Sequence, residues 1–446
     1  MTHTATDPRR EFAVAVVRRL RERGHTAYWA GGCVRDQLRG VVPKDYDVAT
    51  DARPDEIRRL FGHRRTLAVG AAFGVIAVLG PRKSAGQIEV ATFREDAAYS
   101  DGRHPDRVVF SNPQHDAERR DFTINGLFYD PLEDRVIDFV QGRRDLELRL
   151  VRAIGDPEAR FSEDKLRLLR AVRFAATLRF EIEPQTQAAI RRLASQISVV
   201  SPERIAQEMR IMLVDANRVR AMELLYQTNL LAAVLPEVLP LVGARAESSD
   251  RSTGDLWQHA LAMLAVLPPE PSLALVLAVL LHDVAPVSHV AGAADRGVEV
   301  AVEVGRRWRL PRKEEQRVAW LIAHQASLTD AAGQPWSRLQ PLLTAPGIHD
   351  LVELVAAMAR NGCAAQEDVA HVRQLLRLPA EQLNPPPLLT GRDLSEMGLT
   401  PGPLFKQILD RVRDAQLDGT LGSPSEARAW VAEFMGTPED DPLTGA

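Results

Sequence analysis

Residues 27–52 read AYWAGGCVRDQLRGVVPKDYDVATDA. A Gly-Gly pair, Gly31 and Gly32, runs into a charged helix start, and two aspartates, Asp45 and Asp47, follow at i, i+2. "HTAYWAGG" has the pattern of a short strand ending in a glycine turn, "VRDQLRG" that of a helix with Gly40 near its C-terminus, and "DYDVAT" that of a second strand. In a strand, Asp45 and Asp47 point to one face. Two partly dehydrated carboxylates side by side either share a proton or hold divalent cations. Mg²⁺ takes hard oxygen ligands, commonly one or two carboxylates plus substrate phosphates. Two such ions about 3.5–4 Å apart activate an attacking hydroxyl and steady a leaving pyrophosphate. A solvated acidic strand end also produces D-x-D. Upstream, Gly31 and Gly32 allow backbone amides to approach a ligand, with the helix N-terminus and Arg35 adding positive charge. Cradle and carboxylate pair together predict a metal–triphosphate site.

Outward from this stretch the chain divides. Residues 8–23 have helical apolar spacing, and "PDEIRRLF" is a helix opened by Pro54. "FGVIAVLG" and "QIEVATF" form a strand pair across "PRKSAG", and "RVIDFV" is a further strand. Beyond about residue 155 strand patterns nearly vanish. Helices are predicted over 162–178, 184–197 and 201–214, with Ser162 and Ser201 as N-caps and Pro202 at the first helical position. More helices run to about 375, broken by loops such as 243–255. "LNPPPLLTG" (383–391) is a hinge candidate, a last helical segment covers about 402–435, and the tail beyond should fray. The fold class expected is α+β, with domains at 1–150, 151–220, 221–380 and 381–446.

At 446 residues and 45 % hydrophobic content, the chain is too long for a single core. Residues 1–220 carry 38 Lys+Arg against 32 Asp+Glu, while 221–446 carry 18 against 28. A basic front half fits a polyanionic ligand, and the acidic back half argues against a uniform nucleic-acid footprint. Two cysteines, Cys33 and Cys363, exclude a disulfide framework or a structural cysteine–zinc cluster. The N-terminus lacks a signal-peptide apolar core, and the longest apolar run, "LALVLAVLL" (273–281), is too short to span a bilayer. A cytoplasmic location is expected.

"GGCVRD" followed by "KDYDVATDA" resembles the head domain of class II tRNA nucleotidyltransferases, the CCA-adding enzymes, and of their bacterial poly(A) polymerase relatives. The likeness continues in order through "EVATFREDAAYSDGRHPDRVVF", "ERRDFTINGLFYDP", "VIDFVQGRRDL" and "RAIGDPEARFSEDKLRLLRAVRFAA", over roughly residues 26–215. It implies a polymerase-beta-like mixed-sheet head followed by an all-helical neck, body and tail. It implies Mg²⁺ on Asp45 and Asp47, with Glu89 a third catalytic carboxylate or else an ordinary exposed strand residue. Gly31, Gly32 and Arg35 would hold the triphosphate. Arg119, Arg120, Asp121 and Asn125 would contact phosphate and ribose, with Arg120 preferred over Arg119.

Asp164, Arg167, Arg170 and Arg173 recur every three residues along one helical stripe. The resemblance implies that Asp164 and Arg167 read C or A without a nucleic-acid template, and that Arg170 and Arg173 add contacts. A solvated Arg-rich face is the plain alternative. Residues 94–105, with Arg94, Asp96, Asp101 and Arg103, resemble the family's flexible loop, which CC-only members lack. The substrates implied are CTP, ATP and tRNA, with no obligatory protein partner and no membrane. An A-adding enzyme and a poly(A) polymerase are the near alternatives.

"DLWQHALAML" and "LALVLAVLLHDV" resemble an HD-type phosphohydrolase, in which His259, His282 and Asp283 would be metal ligands. The chain departs from that pattern: "HDVAP" stands at 282–286, "AADRGVE" at 293–299, and His324-Gln325 replaces a histidine pair, with His289 a substitute candidate. The resemblance thus implies a scaffold that has lost its chemistry, and a metal phosphohydrolase is the remote alternative. Lys406, Arg411 and Arg413 sit in a segment like the tail of longer members, where surface solvation explains them equally well.

Overall fold

The computed structural model describes residues 7–70, 73–96, 108–245, 255–284 and 293–436. They fall into two compact units, Met1–Leu239 and Pro240–Ala446.

The first unit opens with α1 (Pro8–Arg21), capped by Asp7 with Pro8 at the first position. Its mixed sheet contains β1 (Ala27–Ala30), β2 (Asp47–Thr50), β3 (Thr66–Gly70), β4 (Val75–Leu79) and β5 (Gln87–Thr92). A separate hairpin of β6 (Arg94–Asp96) and β7 (Val108–Phe110) intervenes before β8 (Leu127–Asp130) and β9 (Arg135–Asp138) complete it. The sheet order is β3-β4-β5-β2-β1-β8-β9. β2 and β5 run parallel, with Asp47 opposite Glu89 and Ala49 opposite Ala91.

Period-two alternation explains the two faces. Trp29, Val48, Ile88 and Val90 point into a core closed by α1 and α3 (Pro54–Phe61), through Val16, Val17, Leu20 and Ile57. Alternate residues Ala30 and Ala49 lie on the opposite face with Phe93 and Phe128. Burying Val48, Ile88 and Val90 fixes the register, because a one-residue slip would drive their side chains to the wrong face.

Around the sheet lie α2 (Gly32–Leu38), α4 (Pro113–Glu118) and α5 (Gly142–Glu147). Then come α6 (Pro157–Glu163), α7 (Leu166–Leu178), α8 (Pro184–Leu193), α9 (Pro202–Val214), α10 (Arg218–Gln227) and α11 (Leu230–Val234). A short parallel pair, β10 (Leu150–Val151) with β11 (Glu181–Ile182), ties the start of this helical part to the end of α7.

Three expectations need correcting. The strand predicted from Asp45 begins at Asp47, and Asp45 sits in the bend before it. The single helix predicted over 162–178 is two, because Asp164 adopts extended backbone (φ −144°, ψ 107°) and its carboxylate accepts the Leu166 N–H at 3.0 Å. Ser162 therefore lies inside α6, whose N-cap is Asp156 with Pro157 at the first position. The last predicted helix is also two, broken after Leu417 by Gly419 at φ +76° and restarted at Pro424. Ser201 does precede α9, with Pro202 opening it.

The second unit has no strand beyond an isolated bridge among the described residues. It comprises α12 (Leu256–Ala265), α13 (Leu273–Leu281), α14 (Ala293–Arg307), α15 (Arg312–His324), α16 (Trp336–Leu343) and α17 (Ile348–Arg360). α18 (Gln366–Leu375), α19 (Ala380–Leu383), α20 (Gly391–Glu396), α21 (Pro403–Leu417) and α22 (Pro424–Gly436) follow. The apolar run 273–281 is α13, buried along its whole length. Among the described residues no single helix is long and apolar enough to cross a membrane. α20 to α22 enclose their own small core around Leu394, Ile408, Val412 and Val431. Arg413 donates to Pro385 O at 2.7 Å, fastening the proline-rich stretch to α21, and Arg411 lies over the Phe434 ring.

Candidate active site

A cavity of about 590 Å³ opens on the sheet face that carries Asp47 and Glu89. Its floor includes Ala30, Ala49 and Ala91, whose small side chains leave the space free. α2 contributes Gly32 and Arg35, with Gly31 at its N-cap, and the turn after α4 contributes Arg119, Arg120, Asp121 and Asn125. Asp164, Arg167 and Arg170 enter from the α6–α7 junction and α7. Twelve residues singled out from the sequence thus meet in one place.

Both floor carboxylates are exposed to the cavity. Loss of hydration in the cavity wall and then the Glu89 charge push the Asp47 carboxyl up to about 6, with Arg120 opposing and Asp45 adding to the rise. Asp45 itself does not line the cavity. Its side chain is 91 % exposed and lies 4.0 Å from Arg9.

The arginines are held by a buried network. Asp116 pairs with Arg119 at 2.7 Å and Arg120 at 3.0 Å, and despite its burial the two guanidinium groups keep its carboxyl below the usual range. Arg120 also donates to Asn125 O at 3.1 Å and lies over the Phe128 ring. Arg35 donates to Asn125 Oδ1 at 2.8 Å, and Asn125 Nδ2 donates to Asp121 Oδ1 at 3.0 Å. Arg170 reaches Asp121 Oδ2 through Nε and Nη2 at 2.9 and 2.7 Å. Burial alone would raise the Asp121 carboxyl, but Arg170 and the Asn125 hydrogen bond hold it down to about 2. Asp121 therefore fixes donors in place, with its own oxygens already engaged.

Arg167 donates to Arg160 O at 2.9 Å and Arg119 O at 3.3 Å, and pairs with Glu163. Asp164 accepts from Arg204 at 2.7 Å. Arg204, on α9, lines the cavity and escapes the sequence pattern, since only folding brings it to Asp164. Arg173 does not line the cavity. It pairs with Glu208 at 2.7 Å and sits over Phe174, because each three-residue step along α7 falls about 60° short of a full turn and carries Arg173 round the helix from Arg167.

Of the predicted flexible loop, Arg94 is described and donates to Phe73 O. The Asp96 side chain, Asp101 and Arg103 lie outside the described residues.

Gly31 has φ +73°, ψ −127°, and a Cβ there would lie 2.9 Å from Arg120 Nη1. Gly31→Ala should destabilise the chain by about 1–3 kcal/mol through backbone strain. It should also displace Arg120 and raise the nucleotide KM. Urea unfolding and a nucleotide titration check both effects.

In the second unit His259, His282 and Asp283 come together, buried, with ligand-type atoms within 4.8 Å of one another. His282 Nε2 is 3.2 Å from Asp283 Oδ2, and His282 Nδ1 lies 2.7 Å from Val279 O. Cys363 Sγ is 3.7 Å from His259 Nε2, a neighbour that sequence spacing does not reveal. His324 instead lies by Trp320 O, stacked on the Trp320 ring, and His289 is outside the described residues.

Residues 27–152 match the Poly A polymerase head domain, and residues 179–241 match the family described as a probable RNA and SrmB-binding site of polymerase A. The CCA-adding enzyme of Geobacillus thermodenitrificans is 31 % identical over 430 residues, 96 % of this chain and 98 % of that protein. Poly(A) polymerase I of Salmonella typhi is 39 % identical over 243 residues, and the chain spans about half the length of that relative (50 %). The crystal structure of the Bacillus stearothermophilus CCA-adding enzyme in complex with CTP superposes with a TM-score of 0.75 at 26 % identity, covering 96 % of this chain and 98 % of that one. A mixed-sheet head with a helical remainder is therefore the fold of a nucleotidyltransferase. The chain belongs to the family of CCA-adding enzymes and bacterial poly(A) polymerases.

Proposed function

We propose that this protein adds CCA, or its terminal A, to tRNA 3′ ends from CTP and ATP without a nucleic-acid template. The observation that carries the reading is the in-register pair Asp47 and Glu89 on the floor of an arginine-lined cavity. The full-length likeness to CCA-adding enzymes favours this over poly(A) synthesis, since the likeness to Poly(A) polymerase I covers half of each chain. Along the chain we assign a head to 1–150, a neck to 151–220, a body to 221–380, which crosses the boundary between the two units, and a tail to 381–446. A reaction on tRNA fits a cytoplasmic location.

Two opposed carboxylates, one with its acidity weakened by burial and then by the other's charge, fit a divalent cation. Asp47 and Glu89, on the cavity floor, would hold Mg²⁺, and Asp45 would join them by turning in from Arg9. Bound there, two Mg²⁺ ions would supply Lewis acidity toward an attacking hydroxyl and a leaving pyrophosphate. Arg119, Arg120 and Arg35, with the Gly31-Gly32 turn, bind the triphosphate and stabilise charge that develops on it. Asp164 and Arg167 present acceptor and donor to the edge of a base, Arg204 setting the orientation of Asp164.

The test uses purified protein, Mg²⁺ and tRNA transcripts ending before CCA, after C and after CC, each with labelled CTP or ATP singly and together. Full CCA on the bare transcript supports the complete activity. ATP labelling confined to the CC-ended transcript makes it an A-adding enzyme, and no incorporation anywhere overturns the reading. The cluster of His259, His282 and Asp283 takes no part in this reaction. His282→Ala should leave incorporation unchanged, and its abolition would move the chemistry to the second unit.

A further inference from the structure

A second cavity of about 590 Å³, wholly within the first unit, lies where α2, α5 and α7 end. Arg39, Arg143, Arg149 and Arg179 line it with a single acid, Glu147, and with the Phe180 ring. Among the described residues no carboxylate comes within ion-pair distance of the Arg143 or Arg149 guanidinium, although the Arg143 backbone N–H donates to Asp138 Oδ2 at 3.0 Å. Arg179 donates to a neutral partner, Asn217 Oδ1, at 2.6 Å. Arg39 is 3.5 Å from Asp36 and lies over the Phe180 ring at 5.7 Å.

The backbone adds an independent observation. Arg149, just beyond α5, and Arg179, at the end of α7, have φ of 54° and 57°. At such helix ends glycine takes a left-handed conformation without steric penalty, whereas a side chain adds strain. Here both positions carry arginine, and both arginines line the same cavity. The parallel pair β10–β11 brings them together, through the hydrogen bond from Glu181 N to Arg149 O at 2.9 Å.

Guanidinium groups gathered with one acid repel one another unless a polyanion sits among them. Their planar forks match phosphate oxygens in a bidentate manner. We propose that this cavity binds phosphates of the RNA backbone, as a grip on the same RNA whose 3′ end enters the first cavity. The inference rests on the nucleotidyltransfer reading above. α2 and α7 each line the first cavity with early residues and the second with their ends. The thirteen residues of α7 span about 20 Å, so one RNA strand can engage both cavities.

The test compares the full-length wild type with R143A/R149A and R143K/R149K. Fluorescence anisotropy with a labelled tRNA transcript ending before CCA, in the absence of nucleotide, gives RNA affinity over a series of salt concentrations. Incorporation at saturating RNA gives the CTP KM. For R143A/R149A, RNA affinity should fall about tenfold at low salt and the log–log salt slope should become shallower by about 1–2. The CTP KM should stay unchanged, and R143K/R149K should retain the wild-type slope. Unchanged RNA affinity and slope would overturn the proposal. So would a raised CTP KM with intact RNA binding, which would assign the phosphates to a free nucleotide. A wild type that binds tRNA but transfers no nucleotide would instead overturn the parent reading, leaving the anisotropy result to decide this one.

Discussion

Asp47→Asn should abolish nucleotide incorporation and at the same time raise the melting temperature of the metal-free protein. The first effect follows from losing a charged oxygen at the proposed cation site. Several kcal/mol of transition-state charge stabilisation disappear, a rate loss of about 10³-fold or more. The second follows from the carboxyl's own titration. In the folded chain it is pushed up to about 6, first by desolvation and then by Glu89. The native state therefore holds a proton more tightly than the unfolded chain, and stability falls as pH rises from about 4 through about 6. Asparagine removes that penalty. Thermal melts in chelator should show the variant ahead of wild type at pH 7.5, with the gain shrinking toward pH 4. A variant that melts lower at pH 7.5 would contradict the strain assigned to this carboxylate. Added Mg²⁺ should stabilise wild type alone.

Asp121→Ala should lower the unfolding free energy by about 3 kcal/mol, because removing one partner of a buried charge pair leaves the other uncompensated. Arg170 keeps only Glu208, at 3.8 Å, and Asn125 loses the acceptor that orients it toward Arg35. Activity should fall with stability, through the disordered donors. The pH dependence is opposite in sign to that of Asp47. Held down to about 2, the Asp121 carboxylate contributes stability that is complete above about pH 4 and lost as pH falls through 2. Urea unfolding of wild type and Asp121→Asn should differ clearly at pH 7 and converge near pH 2. A constant difference across that range would mean that packing, not charge, is what Asp121 contributes.

Much of this site is legible in the sequence because its parts are local. Gly31-Gly32 before a helix, the alternation around Asp47, and Arg119-Arg120 with Asn125 all lie within short windows whose geometry is set by backbone period. What escapes is whatever depends on a break or a long return. Asp164 reads as one step in a helical stripe, yet its carboxylate caps the next helix, and the drift of three-residue steps along α7 carries Arg173 round to Glu208. Arg204 reaches Asp164 only because α9 folds back on the α6–α7 junction. Strands β3 and β8 lack clean alternation, and β8 is buried at all four positions. One signal was available: D-V-A-T at 47–50 and E-V-A-T at 89–92 are near copies, and they pair residue for residue. That match identifies Glu89 as the partner of Asp47 more directly than the spacing of Asp45 does.

The paired tetrads also bear on how such a protein can diverge. The spacing of the two backbones that carry the opposed carboxylates is inherited from the hydrogen-bond ladder of neighbouring strands, a length near 4.8 Å that repacking of side chains does not alter. The groups proposed to face a base, Asp164 and Arg167, sit instead at a helix junction whose orientation depends on single contacts such as that with Arg204. Mutational drift can therefore re-aim the selecting groups one at a time while the reacting pair stays put. A lineage built on this frame is free to change which nucleotide it adds, and how many, without passing through an ancestor unable to join any.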